Sequence, residues 1–350
     1  MSEVRDAVDA LKRIGFLLER SLAAGYKVQA FRKAAHLIEE MSDDKVRDAA
    51  RRNALRKLPG IGEKTERVIV EALAGETPEY LKKLESEEQP VYETGGELRA
   101  ALKGDCHTHS TWSDGGSPIL EMARTARDLG HEYIVLTDHS PTLTVANGLT
   151  AERLLQQLDE VVGVNQSLAR EADSGEPLLR VLTGIEVDIL EDGSLDQDDS
   201  LLDHLDLVVG SVHSKLRMSA REMTPRMLEA IANPRLDILG HCTGRKVMGK
   251  GRPPSEFDAE KVFAACIERG VAVEINSRPE RKDPPMALLR QAAEAGCIFS
   301  IDSDAHAPGQ LDWLPIGCER ATNAGISADR VINTRSSGEL VQWTTSRILN

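Results

Sequence analysis

The sequence predicts an α/β protein, a parallel barrel preceded by a separate all-helical module, and three observations carry that expectation. Residues 3–75 show only helical apolar spacing. From residue 105 onward, short apolar runs alternate with amphipathic stretches. Histidines and carboxylates recur where those runs end. Alternating strand and helix implies a parallel sheet with helices outside it, and seven such units suggest a closed or nearly closed barrel. A chain of 350 residues suits two domains better than one. The expected division is a helical domain over 1–80, a linker over 81–103 and a barrel domain over 104–350.

In the first module, Val8, Leu11, Ile14, Leu17 and Leu18 recur at helical spacing, as do Phe31, Ala35 and Ile38. The stretch LPGIGEKTERVIVEAL, 58–73, sets a Gly-x-Gly hairpin before a helix. Residues 76–104 are charged, with two prolines and three glycines, and read as a linker with short helical parts. Strands are expected over 105–109, 133–138, 181–188, 206–212, 236–241, 271–276 and 297–303. Helices are expected over 119–129, 151–171, 221–232, 258–269, 286–295 and 319–324.

Composition narrows the function classes. Apolar residues make up 41% and aromatics only 3%, so the core is aliphatic. The acidic, amphipathic start MSEVRDAVDA is not a signal peptide, and no apolar run approaches the ~20 residues that span a bilayer. Five scattered cysteines without a C-x-x-C pair fit reduced thiols in a cytoplasm. The net charge of −14 is uneven: residues 1–70 carry +4 and the remainder −18. A strongly acidic enzyme binds nucleic acid poorly unless a basic appendage holds it.

Chemistry in α/β barrels sits where strands end. Strand one ends in Asp105, Cys106, His107, Thr108 and His109, and strand alternation turns 105, 107 and 109 one way and Cys106 the other. Strand two brings Asp138 and His139, strand three Glu186 and Asp188, strand four His213, strand five His241, and strand seven Asp304 and His306. Any single histidine is most simply a satisfied core residue. Six of nine at strand ends, accompanied by Asp114, Glu186 and Asp304, point instead to metal. Zinc takes about four ligands and manganese about six, so the set suggests two or three ions. Imidazole with carboxylate and no thiolate suits Mn²⁺, Zn²⁺ or Fe²⁺. The basic loop TGRKVMGKGRPP, 243–254, offers Arg245 as a catalytic contact to substrate phosphate, with Lys215, Arg278 and Arg281 on neighbouring loops as weaker candidates.

GDCHTHSTWSDG, YIVLTDHS, TGIEVDI, VVGSVHS, ILGHCTGR, VEINS and SIDSDAH, in that order over residues 104–306, resemble the PHP (polymerase and histidinol phosphatase) family. The resemblance implies a distorted, TIM-like seven-stranded β/α barrel. It implies metal ligation by His107, His109, Asp114, His139, Glu186, His213, His241, Asp304 and His306. The same residues resemble the PHP domain at the C-terminus of bacterial family X DNA polymerases. VQAFRKAAHLIEE with LPGIGEKTERVIVEAL resembles the helix-hairpin-helix domain of the same polymerases, so residues 1–80 are expected to bind DNA. Glycines 60 and 62 let backbone N–H groups approach a phosphate at a helix start, Lys64 adds charge, and by the resemblance Lys27 touches a DNA 5′-phosphate. The lyase lysine of that family falls at Val68, which cannot form a Schiff base. About thirty residues separate the two modules, too few for a polymerase core. The expected function is a metal-dependent phosphoesterase on DNA, a 3′–5′ exonuclease or 3′-end-processing phosphatase in repair. Its partners would be DNA ends or gaps, bound without sequence specificity, and other repair proteins. The alternatives are a small-molecule phosphatase, such as one for histidinol phosphate, and a scaffold with a vestigial site.

Overall fold

The computed structural model describes residues 3–87 and 95–348. Contacts divide the chain into two compact units, Met1–Val91 and Tyr92–Asn350.

The first unit is helical: α1 Glu3–Arg20, α2 Gly25–Glu40, α3 Asp43–Arg51, α4 Glu63–Leu73 and α5 Glu79–Ser86. The spacing of Leu11, Ile14, Phe31 and Ile38 brings them to one face each of α1 and α2, where they meet Leu55, Val68 and Ile69 in a buried core. The stretch expected to link the domains is more ordered than its composition suggests. Leu81 of α5 packs into this core, while Leu98 and Leu102 belong to the core of the second unit. Residues 88–94 of that stretch lie outside the described residues.

The second unit contains seven parallel strands in sequential order: β1 Gly104–Thr108, β2 Tyr133–Leu136, β3 Arg180–Asp188, β4 Leu207–Ser211, β5 Ile238–Leu239, β6 Ala272–Asn276 and β7 Phe299–Asp302. Around them run α6 Gly96–Ala101, α7 Ile119–Asp128, α8 Ala151–Asp173, α9 Asp199–Leu202, α10 Ala220–Ala232, α11 Ala259–Arg269, α12 Met286–Ala295, α13 Leu314–Asn323 and α14 Ser337–Ile348. The sheet nearly closes. The N–H of His109 donates to Ala305 O at 2.8 Å, and Thr108 bridges Ala305 in parallel. The Asn333 amide fastens the seam, donating to Gly104 O on β1 (3.0 Å) and Ile301 O on β7 (2.7 Å).

Three expectations are corrected. β5 has two residues, not six, because the chain turns out at Gly240, where a Cβ would stand 2.3 Å from Ser211 Oγ. The expected helix over 319–324 begins at Leu314, and α14 was not foreseen. Cys106 does not face away from the histidines. The β1–β2 register shifts between Asp105 and Thr108, so strict alternation fails. Cys106 packs with Tyr133, Leu182 and Val209 inside the barrel, where Ile332 and Leu340 of the C-terminal segment join them.

Candidate metal centre

Seven strand ends deliver their polar side chains to one mouth of the barrel. Glu186, 1% exposed near the end of β3, is the hub. Its two oxygens lie 3.3 Å from His107 Nε2, 3.6 Å from His109 Nε2, 2.9 Å from His139 Nδ1, 3.3 Å from His213 Nε2 and 2.9 Å from His241 Nε2. A second focus lies toward solvent. There Asp114 Oδ1 is 3.5 Å from His139 Nε2 and 3.3 Å from His306 Nε2, and Asp304 Oδ1 is 3.5 Å from both His109 Nε2 and His306 Nδ1.

Three groups have donor atoms converging within 4.8 Å: His109 with Asp114, His139 and His306; His107 with His109 and Glu186; and His139 with Glu186 and His213. Glu186, His109 and His139 are shared between groups, as a multinuclear site requires. His241 and Asp304 adjoin the groups without entering one. All nine residues singled out from the sequence are therefore neighbours.

The donor set fits a metal. Both oxygens of Glu186, His107 Nε2, both ring nitrogens of His109 and of His213, His139 Nδ1 and His241 Nδ1 are buried without a hydrogen-bond partner. A folded protein rarely leaves one buried polar atom unsatisfied; here both oxygens of Glu186 meet His107 Nε2, His109 Nε2, His139 Nδ1 and His213 Nε2 at one place, which is ligand geometry. Charge is shared unevenly among them: although burial opposes it, Glu186 and Glu274 hold His107 well above the usual imidazole range, and Glu186 and Asp188 raise His213 to about 9. Burial opposes ionisation of Glu186, but the imidazoles of His107, His213 and His139 hold it well below the usual carboxylate range. His109 is driven well below the usual imidazole range by burial and by His306 and His139. It is thus the neutral form that ligates.

Among the residues that support the ligands, Glu274 escaped the sequence reading, and Asp138 and Asp188, placed by it at strand ends, received no role. Glu274 on β6, fully buried, lies 2.6 Å from His107 Nδ1 and also accepts the N–H of His241. It fixes the tautomer that leaves His107 Nε2 free. Asp138 accepts the N–H and hydroxyl of Ser110 at 2.8 and 2.6 Å, the hydroxyl of Ser113, and Gln157 Nε2 at 2.7 Å. It thereby fixes the loop that carries Asp114. Asp188 accepts the N–H of His213 at 3.1 Å. The signal for Glu274 was present in VEINS, where a glutamate interrupts an apolar strand.

Above the cluster lies a cleft of about 250 Å³ lined by Asp114, His139, His213, Asp304 and His306 together with Lys246, Arg278, Arg281, Leu143, Val145 and Ala146 among others. Arg278 Nη1 is 3.3 Å from Asp304 Oδ1, and Arg281 Nε is 3.2 Å from Asp304 Oδ2. Arg281 Nε and Nη1 are buried and make no hydrogen bond among the described residues. Arg245, expected to meet the substrate, does not line this cleft. Its guanidinium is turned to the backbone, donating to Arg281 O at 3.0 Å and to Lys282 O, so it buttresses the loop carrying Arg281. Sequence proximity to His241 favoured Arg245, but the loop after β6 brings Arg281 nearer.

In the helical unit, Lys27 is exposed in the first turn of α2, and Gly60 takes φ +90° in the hairpin. The N–H of Gly62 donates to Thr65 Oγ1 at 2.9 Å as it caps α4 and is not free for a phosphate. Lys64 Nζ lies 5.5 Å from the Tyr80 ring centroid.

Buried imidazoles and carboxylates at the strand ends of a parallel barrel, under a cleft that carries Lys246, Arg278 and Arg281, define a metal-dependent phosphoester hydrolase. Comparison with known proteins gives the family. Residues 105–278 match the PHP domain and residues 3–78 a helix-hairpin-helix domain. The chain is 32% identical over 242 residues to a probable phosphatase of Thermoanaerobacter sp. (strain X514), covering 66% of this chain and 89% of that protein. It is 38% identical over 235 residues to the DNA polymerase/3′-5′ exonuclease PolX of Bacillus subtilis (strain 168), covering 67% of this chain but only 40% of that protein. The crystal structure of histidinol phosphate phosphatase from Lactococcus lactis, complexed with zinc, L-histidinol and phosphate, matches with TM-score 0.47 at 19% identity, covering 65% of this chain and 95% of that one. The chain belongs to the PHP-domain family. Among the described residues, no helix is long and apolar enough to cross a membrane.

Proposed function

We propose that the chain is a phosphoesterase that processes DNA 3′ ends, with His107, His109, Asp114, His139, Glu186, His213, His241, Asp304 and His306 holding two or three divalent ions. When bound, such ions supply Lewis acidity, stabilising charge on the phosphoryl oxygens and activating water for attack. The chain's own part is geometric. Glu274 and Asp138 set the orientation of the ligands, and the barrel floor excludes bulk water. The observation that carries the reading is the meeting, in one cleft, of unpartnered imidazole and carboxylate atoms with the unpartnered Nη1 of Arg281. Arg281 is the donor for a phosphate oxygen, a planar guanidinium already desolvated. Residues 1–80 act as the DNA-holding module, with Lys27, Lys64 and the hairpin around Gly60 meeting phosphates. The name of the Bacillus relative supports DNA and a 3′ end.

The second reading is a small-molecule phosphatase. It is favoured by the probable phosphatase that this chain matches over 89% of its length. Turnover of 3′-labelled single-stranded DNA against histidinol phosphate, with Mn²⁺ and with Zn²⁺, separates them. DNA processing is expected to be faster by orders of magnitude, and the reverse ranking would leave the small-molecule reading standing.

A further inference from the structure

The loop joining His139 to α8 is closed tightly upon itself. Ser140 Oγ and the N–H of Thr142 both donate to Asp196 Oδ2 at 2.7 Å. Arg153 Nη1 donates to Asn147 O (2.7 Å) and Gly148 O (3.0 Å), and the N–H of Leu149 donates to His139 O (2.7 Å). A Cβ at Gly148 would stand 1.8 Å from Ser140 O, so the turn admits only glycine there. What this scaffold holds out is apolar. Leu143, Val145 and Ala146 line the cleft over the metal-ligand cluster, and Val145 is 91% exposed.

An exposed valine on an open surface needs no explanation. One fixed by a hydrogen-bonded loop on the wall of a site is a contact surface. A phosphate gains nothing from it. The apolar wall therefore faces the organic part of the substrate. Lys246, Arg278 and Arg281 share the cleft with Asp114, Glu280 and Asp304 and pair with two of them, so it is the apolar wall, not net charge, that selects an uncharged organic group. Resting on the DNA-directed reading above, we infer that Leu143 and Val145 are specificity-determining residues that contact the base of the terminal nucleotide. The substrate class is then a nucleoside phosphoester with its base intact.

The test compares kcat/KM of the full metal-loaded chain on an oligonucleotide ending in a normal 3′ nucleotide and on the same oligonucleotide ending in an abasic residue. Wild type is expected to prefer the intact end by roughly ten-fold, the worth of partial burial of one aliphatic side chain. Val145→Asp is expected to bring that ratio near one, with Val145→Ala and Leu143→Ala between. Because Val145 already stands in water, its variants keep the wild-type melting temperature. Equal wild-type turnover of the two oligonucleotides, or an unchanged ratio in Val145→Asp, overturns the inference and leaves the DNA reading intact. If neither oligonucleotide is cleaved, the DNA reading falls. The wall is then judged on thymidine 3′-monophosphate against glycerol phosphate: a wild-type preference for the nucleotide that Val145→Asp removes supports it, and no preference overturns it.

Discussion

Replacing Glu274 by glutamine tests whether the site depends on a residue that touches no substrate. The two side chains have nearly the same shape, so packing on β6 is kept. The carboxylate serves three donors: His107 Nδ1 at 2.6 Å through Oε1, and the N–H of His241 and Asn276 Nδ2 (3.3 Å) through Oε2. An amide has one oxygen for these donors, and its NH₂ must face the His107 or the His241 side. One charge-assisted hydrogen bond becomes neutral, a loss of about 1–2 kcal/mol, and one buried donor is left without an acceptor, a further ~1–3 kcal/mol. Both losses fall on proposed metal ligands. His107 loses the partner that holds its proton on Nδ1 and its Nε2 toward Glu186, and the backbone at His241 is displaced. The expected result is a 10–100-fold weaker affinity for the most weakly held ion, the range found when a ligand-orienting carboxylate is removed. Competition with a chromogenic chelator reads that affinity, and the thermal midpoint of the metal-free protein reads fold stability separately. Unchanged metal affinity with a lowered metal-free midpoint would show Glu274 to be a buried acid of the fold and nothing more, and the reasoning would be wrong.

Purified protein supplied with Mn²⁺ or Zn²⁺ should carry two to three ions per chain by elemental analysis, and His109→Ala with Asp304→Ala should lower that number and abolish hydrolysis. A stoichiometry near zero for wild type would count against the cluster. Arg281→Ala should reduce kcat by about 10²–10³, the size of a lost charge-stabilising donor, with metal content retained and only partial recovery in Arg281→Lys. Full activity in the alanine variant would place the phosphate elsewhere. Removing residues 1–87 should weaken DNA binding and flatten its salt dependence while hydrolysis of a small chromogenic phosphodiester persists; equal DNA affinity with and without them would remove the module from the proposal. Burial, with Arg99 beside it, depresses His131 to about 3. Its contribution is therefore complete above the unfolded value near 6.5 and is lost as pH falls from there toward 3. Between pH 7 and 5 the metal-free protein should lose about 2 kcal/mol through this group, and urea midpoints should show His131→Gln losing that much less.

The clustering of the nine candidate ligands was legible because metal chemistry draws on a few residue types, and because a parallel barrel delivers strand ends to one mouth. Histidines two apart at 107 and 109, and an aspartate and histidine two apart at 304 and 306, needed only a strand and its end to be read as neighbours. The helical unit was legible for a similar reason, since Leu11, Ile14, Phe31 and Ile38 repeat with the period of a helix that buries one face. Periodicity could not register the bulge that turns Cys106 inward beside His107, because an irregular strand has no period to read. Nor could it rank Arg245 against Arg281. The first lies four residues from His241 in sequence, yet its guanidinium is held by the carbonyls of Arg281 and Lys282. The second is forty residues away in sequence, yet reaches Asp304. Glu274 shows the same division: its residue type was visible, but its role required closure of the barrel to bring β6, one strand beyond β7, near β1. Local residue type and spacing determine what each segment can do. Which segments meet is decided by closure of the barrel, where contacts between different strands place carboxylates beside histidines, as Glu274 beside His107, 167 positions away.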